Sequence, residues 1–257
     1  MEHADIKFTE TETMKDILCH HPFVTDFRRD ILGRFADEVK TVNIPKGKTL
    51  FLQEDQAEWF YYIKNGWVKL FRETQDGNDV VLNVVSEGYI FGETALFEQN
   101  TYPFSAEIVE DATLLAFPLL SLEKEIGQDK MLVLEMLDYI GRQNVLKDLE
   151  IEHRTIQNAS QRIGCFLLRL IKENADGPVT LRLPYDKTLI AARLGMQPET
   201  FSRALTTLQK KVKMRVKGSA VTIENVEQLA GFSCGACSGL FPCSDLRPEC
   251  VRRQKTL

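Results

Sequence analysis

From Leu120 to Gln157 the chain carries no proline and only two glycines. Within that run Leu132, Val133, Met136, Leu137, Tyr139 and Ile140 form a broad apolar face, continued more thinly by Val145, Leu146 and Leu149. Apolar residues three and four apart share one side of an α-helix. The spacing therefore predicts one long helix with a charged C-terminal half. A helix of this length joining two domains is a natural dimer seam, and its stripe is wider than a strict coiled-coil seam. The alternative is that it packs on the domain before it.

Before this helix the punctuation is that of β-structure. "TVNIPKGKTLFLQED" mixes β-branched residues with a Pro-Lys-Gly turn. Asn65-Gly66 separates two aromatic-rich runs in "WFYYIKNGWVKLFRE", a pattern that predicts a tight hairpin. Asp76-Gly77 marks a second turn, followed by "DVVLNVVSEGYIFGETALF", and "SAEIVEDATLLAFP" predicts two further short strands. Closely spaced short strands imply an antiparallel β-barrel or jelly roll up to about Pro118. Jelly rolls also host metal enzymes, but those need several converging histidines, and the barrel holds none after His21. Cys19, His20 and His21 are adjacent, so their side chains diverge, and they read as part of a polar lead-in. An enzyme is not expected.

After the long helix the order changes again. Asn158-Ala159-Ser160 caps a helix "QRIGCFLLRLIKEN" that stops at Asp176-Gly177-Pro178, and Cys165 within it reads as core. "VTLRLPY" is a strand, Asp186 caps "DKTLIAARLG", and Gly195 ends it. Gln197 caps a helix whose first residue is Pro198, where a missing N–H costs nothing. "MRVKGSAVTIEN" is a hairpin turning at Lys217-Gly218. This order is a winged helix-turn-helix. The fold class is thus α+β: a lead-in (1–21), an N-terminal antiparallel β-barrel or jelly roll (22–120), a dimerisation helix region (121–157), a winged helix-turn-helix (158–229) and a cysteine-rich tail (230–257).

The formal net charge of −5 argues against a general nucleic-acid binder. Yet from Ser202 to Ile223 there is no acid, while Arg203, Lys210, Lys211, Lys213, Arg215 and Lys217 are basic. On the helix from Pro198, residues Phe201, Leu205, Leu208 and Val212 make the buried face. Glu199, Ser202 and Arg203 fall on another face in the first two turns, with Gln197 and Thr200 nearby. In a helix-turn-helix these positions meet base edges in the major groove, where Arg suits guanine and Glu suits cytosine. Lys210 and Lys217 supply phosphate contacts. The plain alternative is a solvated face with a local Glu199–Arg203 pair; a non-DNA regulatory module is disfavoured by the wing. No apolar run approaches the ~20 residues of a membrane span, and the polar, acid-bearing N-terminus is unlike a signal peptide. The expected compartment is the cytosol.

Taken in order, residues 22 to 228 resemble the Crp–Fnr family of bacterial transcription regulators. "GYIFGETALF" resembles the family's glycine-rich effector-pocket segment, "PETFSRAL" its recognition helix, and "VKGSAVTIEN" the wing of the Fnr branch. The resemblance implies a homodimer that binds promoter DNA at two half-sites of a pseudopalindrome and works with RNA polymerase. It places an effector pocket at Gly92, Glu93, Thr94 and Ser105. Members that bind cyclic AMP carry an arginine before that serine to clamp the cyclic phosphate. Here the position is Phe104, and the next base after Glu93 is Lys124. A cyclic nucleotide is therefore not expected. Glu199, Ser202 and Arg203 match the Fnr branch and imply a TTGAT-like half-site, whereas Pro198 offers only apolar contact.

The Fnr type senses oxygen through N-terminal cysteines and one in the barrel, a set this chain lacks. Its tail instead reads "CGACSGLFPCSDLRPEC": Cys234, Cys237, Cys243 and Cys250 in a C-x2-C-x5-C-x6-C spacing. Such a cluster in a reducing compartment points to metal more than to disulfides. Some family members carry an iron–sulfur cluster on a C-terminal extension, and the tail looks like that arrangement. Four thiolates on a Gly/Pro-rich loop can hold a 4Fe–4S cluster. Structural zinc and an unliganded tail are the alternatives; in those cases a small molecule in the barrel pocket would be the signal.

Overall fold

The computed structural model describes residues 8–9, 38–171 and 177–235. The lead-in residues Cys19, His20 and His21 and the tail residues Cys237, Cys243 and Cys250 lie outside them. The chain divides into two units, Met1–Gly141 and Arg142–Leu257.

Two long antiparallel strands organise the first unit. Its strands are β1 (Phe8–Thr9), β2 (Lys40–Ile44), β3 (Thr49–Phe51), β4 (Trp59–Glu73), β5 (Asp79–Ser86), β6 (Ile90–Phe91) and β7 (Ser105–Pro118). They form one antiparallel sheet in the order β1-β2-β7-β4-β5, with β3 also on β7 and β6 on β4. This is the jelly-roll-like barrel expected, with Val42, Tyr62, Ile63, Val68, Ile108 and Leu114 in its core. The β4–β5 connection turns at Gly77, as expected, with Gly77 N–H bonded to Thr74 O at 2.9 Å.

Asn65-Gly66 is not a hairpin. β4 runs through it without reversing, and the register against β7 slips repeatedly between Ile63 and Val68. A tight two-residue turn of the expected kind needs positive φ at both positions. Only Gly66 has it, at 98°. The pair instead forms a bulge, which lets the long strand bend with the barrel. A Cβ at Gly66 would lie 2.5 Å from Ala112 Cα and from Asp111 O. Likewise "SAEIVEDATLLAFP" is the single strand β7 rather than two.

The predicted single helix is two: α1 (Leu119–Gln128) and α2 (Lys130–Ile156). Asp129 between them is extended, and its Oδ1 accepts from the N–H of Met131 at 2.9 Å, starting α2 anew. Asp breaks a helix here because its short carboxylate competes for the backbone donors. The apolar face read from the sequence also divides. Leu132, Met136 and Tyr139 join the barrel core, whereas Met131, Leu134, Leu137, Val145 and Ile151 are exposed.

The second unit contains the end of α2, then α3 (Ala159–Arg169), β8 (Val179–Arg182), α4 (Lys187–Arg193), α5 (Pro198–Lys211), β9 (Met214–Lys217), β10 (Ala220–Ile223) and α6 (Val226–Cys234). Two of the three caps follow the sequence reading, while Gln197 stands at the N-cap of α5 without a side-chain hydrogen bond to it. Asn158 and Gln161 form a reciprocal capping box on α3, and Asp186 accepts from Leu189 N–H on α4. β8-β10-β9 is the antiparallel wing sheet, turning at Gly218. Ile163, Ile190, Leu208, Val212, Val221 and Leu229 are fully buried. Cys165 is core, as expected, and His153 on α2 is buried as well. Among the described residues no helix is long and apolar enough to cross a membrane.

Replacing Gly66 with alanine should destabilise the chain by at least ~2 kcal/mol, because both the φ angle and the space are denied to a methyl group. Urea denaturation of the Gly66→Ala variant checks this; a midpoint equal to wild type would refute the bulge.

Candidate nucleic-acid interface

The helix-turn-helix is α4, a turn at Leu194–Gln197, and α5. Gly195 takes the left-handed conformation at φ 64°, and the N–H of Met196 closes back on Ala191 O at 3.0 Å. This is how glycine ends a helix sharply enough for the next one to cross it. Pro198 opens α5, and the Gln197 side chain at its N-cap makes no capping hydrogen bond. The first-turn N–H groups can take an external acceptor, and the helix dipole favours an anion there.

Burial fixes which side of α5 faces outward. Phe201, Ala204, Leu205 and Leu208 are buried. Ser160 on α3 donates from Oγ to Ala204 O at 3.0 Å, pinning the helix at its middle. Gln197, Glu199, Ser202 and Arg203 are exposed and Thr200 is half-buried. Among the described residues neither Glu199 nor Arg203 has an ion-pair partner, so the local pair that would make this a plain solvated face does not form. Lys210 is exposed in the last turn of α5, and Lys217 at the wing turn. On the wing, Arg215 approaches Glu224 at 3.5 Å in the open. The arrangement presents acceptor, hydroxyl and guanidinium on one helix end, flanked by cations.

The barrel residues Gly92, Glu93, Thr94 and Ser105 sit beside an aromatic cluster. Gly92, at φ 89°, begins a short 3-10 turn through Phe97, and a Cβ there would stand 3.3 Å from Tyr102. Ser105 Oγ accepts from Gln53 N–H at 2.9 Å. Phe51 stacks on Tyr102 with centroids 3.6 Å apart, and Tyr61, Phe91 and Phe104 surround it. Tyr102 donates to Trp59 O at 2.6 Å, and burial pushes its phenol up to about 12. Phe104, where a cyclic-phosphate clamp would need arginine, belongs to this cluster.

Of the tail cysteines only Cys234 is among the described residues. It ends α6 and is half-buried. Among the described residues no three His, Cys, Asp or Glu side chains converge as a metal site. α6 lies on α3: a Cβ at Gly164 would stand 2.0 Å from Ser233 Oγ. It also reaches the end of α5, where Gln228 Nε2 donates to Lys211 O at 3.4 Å and Lys211 sits over the Phe232 ring at 5.6 Å.

Sequence reasoning missed a basic cavity formed by α2, α3 and α4. Arg193 and Arg154 both bond Glu150, Arg154 also donates to Arg193 O at 3.1 Å, and Arg162 donates to Leu194 O at 2.9 Å. Arg169 donates to His153 Nδ1 at 3.3 Å; since guanidinium only donates, that nitrogen accepts. The one legible signal was Glu150 and Arg154 at i and i+4, next to arginines seven apart on α3.

The two units correspond to two family models. A cyclic nucleotide-binding domain matches residues 41–129, and a Crp-like helix-turn-helix domain matches residues 161–232. The fumarate and nitrate reduction regulatory protein of Escherichia coli is 28% identical over 216 residues, 83% of this chain and 85% of that protein. The cyclic AMP receptor protein of Thermus thermophilus is 27% identical over 191 residues, 74% of this chain and 87% of that one. Among solved structures, a candidate cyclic nucleotide binding protein from Ruegeria pomeroyi is 30% identical with a TM-score of 0.67, covering 88% of this chain and 99% of its own. A jelly-roll domain followed by a DNA-binding winged helix defines a class of transcription regulators. The chain belongs to the Crp–Fnr family.

Glu150 gives the second unit a pH signature. Burial disfavours its charge, but Arg193, bonded to it, and then Arg154 and Arg169 outweigh burial and hold the carboxyl below its usual range. A depressed pKa stabilises the fold above the ordinary glutamate value, about 4.3, and that stability is lost as pH falls through the lower folded value. Between roughly pH 5 and 3 the wild type should therefore lose stability more steeply than Glu150→Gln. Urea titrations across that range check it; parallel curves would refute the coupling.

Proposed function

We propose that this regulator acts as a cytosolic homodimer that reads a TTGAT-like palindrome with α5, acts at promoters with RNA polymerase, and is switched by oxygen, nitric oxide or redox state through its cysteine tail. The observation that carries the DNA reading is the exposed set Glu199, Ser202 and Arg203, without ion-pair partners among the described residues, at the start of a helix whose other face is buried. Gln197 and Thr200 flank this set, and Lys210 and Lys217 bring charge for phosphates. Dimerisation is supported by the exposed Met131, Leu134, Leu137, Val145 and Ile151 on α2, an apolar set that water alone would cover at a cost.

The donor chemistry of the tail suits a 4Fe–4S cluster: four thiols within one short Gly/Pro-bearing segment, the first at the end of a packed helix. Cys234, Cys237, Cys243 and Cys250 would hold it. When bound, such a group supplies sensitivity to oxidants and nitric oxide. The chain's own part is mechanical. Cys234 is fixed to α6, α6 is flush with α3 at Gly164, and Gln228 and Phe232 touch Lys211 at the end of the recognition helix. Order in the tail thus bears on α5, and a tail that prefers one arrangement of α6 shifts the population of DNA-competent molecules.

A second reading rests on Thr94 Oγ1, which is buried in the barrel without a hydrogen-bond partner among the described residues. It favours a small polar effector beside Gly92 and Glu93, with the tail binding zinc or nothing. Phe104 and its aromatic neighbours speak against a cyclic nucleotide there.

Arg203→Ala should lower affinity for a TTGAT palindrome by about 1–3 kcal/mol while leaving binding to unrelated duplex nearly unchanged. A gel-shift series reads both, and equal specific affinity would exclude base reading by Arg203. Cys237→Ser, purified without air, should lack the brown absorption, iron and acid-labile sulfide of the wild type, and its DNA binding should no longer respond to air. A colourless wild type would instead return the signal to the barrel.

A further inference from the structure

None of the residues that line the basic cavity of the second unit belongs to the proposed DNA-reading set or to the four tail cysteines. Its lining brings four guanidinium groups, Arg154, Arg162, Arg169 and Arg193, around one carboxylate, Glu150, with His153 buried beside them. Glu150 answers two of the four, Arg193 and Arg154. Among the described residues Arg162 and Arg169 have no carboxylate partner: Arg162 leans on Leu194 O and Arg169 on His153. Arg162 Nε is buried with no acceptor among the described residues. Burial, and then the nearby Arg154 charge, lower the Arg162 pKa. Arg162 is half-buried, whereas Arg154 and Arg169 are exposed, so the recess opens to water and its cations can reach an anion that enters it.

The space fits a small anion. The cavity is about 50 Å³, room for a few waters or one tetrahedral oxyanion, against ~300–1,000 Å³ for sites that take whole cofactors. Guanidinium groups suit such an ion because their planar forks donate in pairs to oxyanions.

We propose that this cavity is a binding site for a phosphate-type oxyanion, either the free ion or the phosphate group of a small metabolite. The ion would accept from the guanidinium groups of Arg162 and Arg169 and balance the excess charge. It would brace three elements at once: the end of α2, the helix α3 that supports the recognition helix, and α4, the first helix of the helix-turn-helix. The site thereby gives the DNA-binding unit an input separate from the tail.

The test uses the full chain. Its thermal unfolding midpoint is followed against inorganic phosphate, with sodium chloride at equal ionic strength as control, and binding is read independently by 31P line broadening. The expected result is a saturable rise with phosphate that chloride does not reproduce. It should be weakened roughly tenfold or more in Arg169→Gln, which keeps a donor for His153. Arg162→Lys, which keeps the charge but loses the fork, should weaken it too, so that misfolding of one variant does not decide the matter. Glycerol phosphate separates the two sources: a response to both assigns the site to a phosphorylated metabolite, and a response to inorganic phosphate alone assigns it to the free ion. No phosphate effect beyond that of chloride, or wild-type responses in both variants, would overturn the proposal. So would a response to duplex DNA alone that the same variants abolish. None of these readouts depends on the tail or on a particular half-site.

Discussion

Close approach of three helices holds the DNA-binding unit together. Gly164 lets α6 lie directly against α3, since even a methyl group there would overlap Ser233. One turn earlier on α3, Ser160 donates to a backbone carbonyl of α5. That carbonyl belongs to Ala204, in mid-helix, so the bond registers α5 along its length as well as against its neighbour. A single helix thus sets the height of the tail-bearing helix and of the recognition helix together. The same helix carries Arg162 and Arg169, so the basic cavity shares this support. Packing at native density passes small displacements on instead of absorbing them, so an event at the end of α6 need not be near α5 to matter there.

The second unit was legible in the sequence because local chemistry and global fold agree there. Asn158, Asp186, Gly195, Pro198 and Gly218 each favour the local conformation that the winged helix requires, and the apolar spacing from Phe201 to Val212 has one interpretation. In the first unit local signals compete with the sheet. Asn65-Gly66 carries the chemistry of a turn, but the pairing of β4 with β7 continues on both sides of it and outweighs that preference, so glycine's freedom goes into a bulge. Asp129 shows the reverse: an apolar period continues across it, yet one carboxylate suffices to stop and restart the helix. The exposed trio on α5 could be read from spacing because all three residues lie on one helix. The basic cavity could not, because Arg193 meets Glu150 across the fold, and no periodicity records a meeting between separate helices.

The barrel keeps the outline of a nucleotide-binding domain while filling one end of it with rings. Phe51, Tyr61, Phe91, Tyr102 and Phe104 are gathered beside Gly92 and Ser105, and the phenol of Tyr102 is tied to the backbone of Trp59. Stacked and edge-on aromatics of this kind add stability beyond the area they bury. A phosphate-bearing ligand would gain no charge partner from them. The two units thus divide the chemistry: apolar and aromatic around the residues of the family's effector pocket, cationic in the cavity beside the helix-turn-helix.

The pairing of β4 with β7 also dictates the order in which this chain can mature. A ribosome makes β4 well before β7, and β2 and β3 also await β7 as their neighbour. Until Pro118 has left the exit tunnel, the aromatic run of β4 has β5 and β6 beside it but lacks its principal partner strand. Non-local pairing of this kind closes slowly, and unpaired apolar edges invite association meanwhile. The second unit starts its helices on local caps, but α3 waits in turn for Ala204 of α5, 44 residues on, and for Phe232 of α6, 71 residues on. Synthesis therefore presents first a sheet that waits for its central strand, and then a helical unit whose first helix waits for its last.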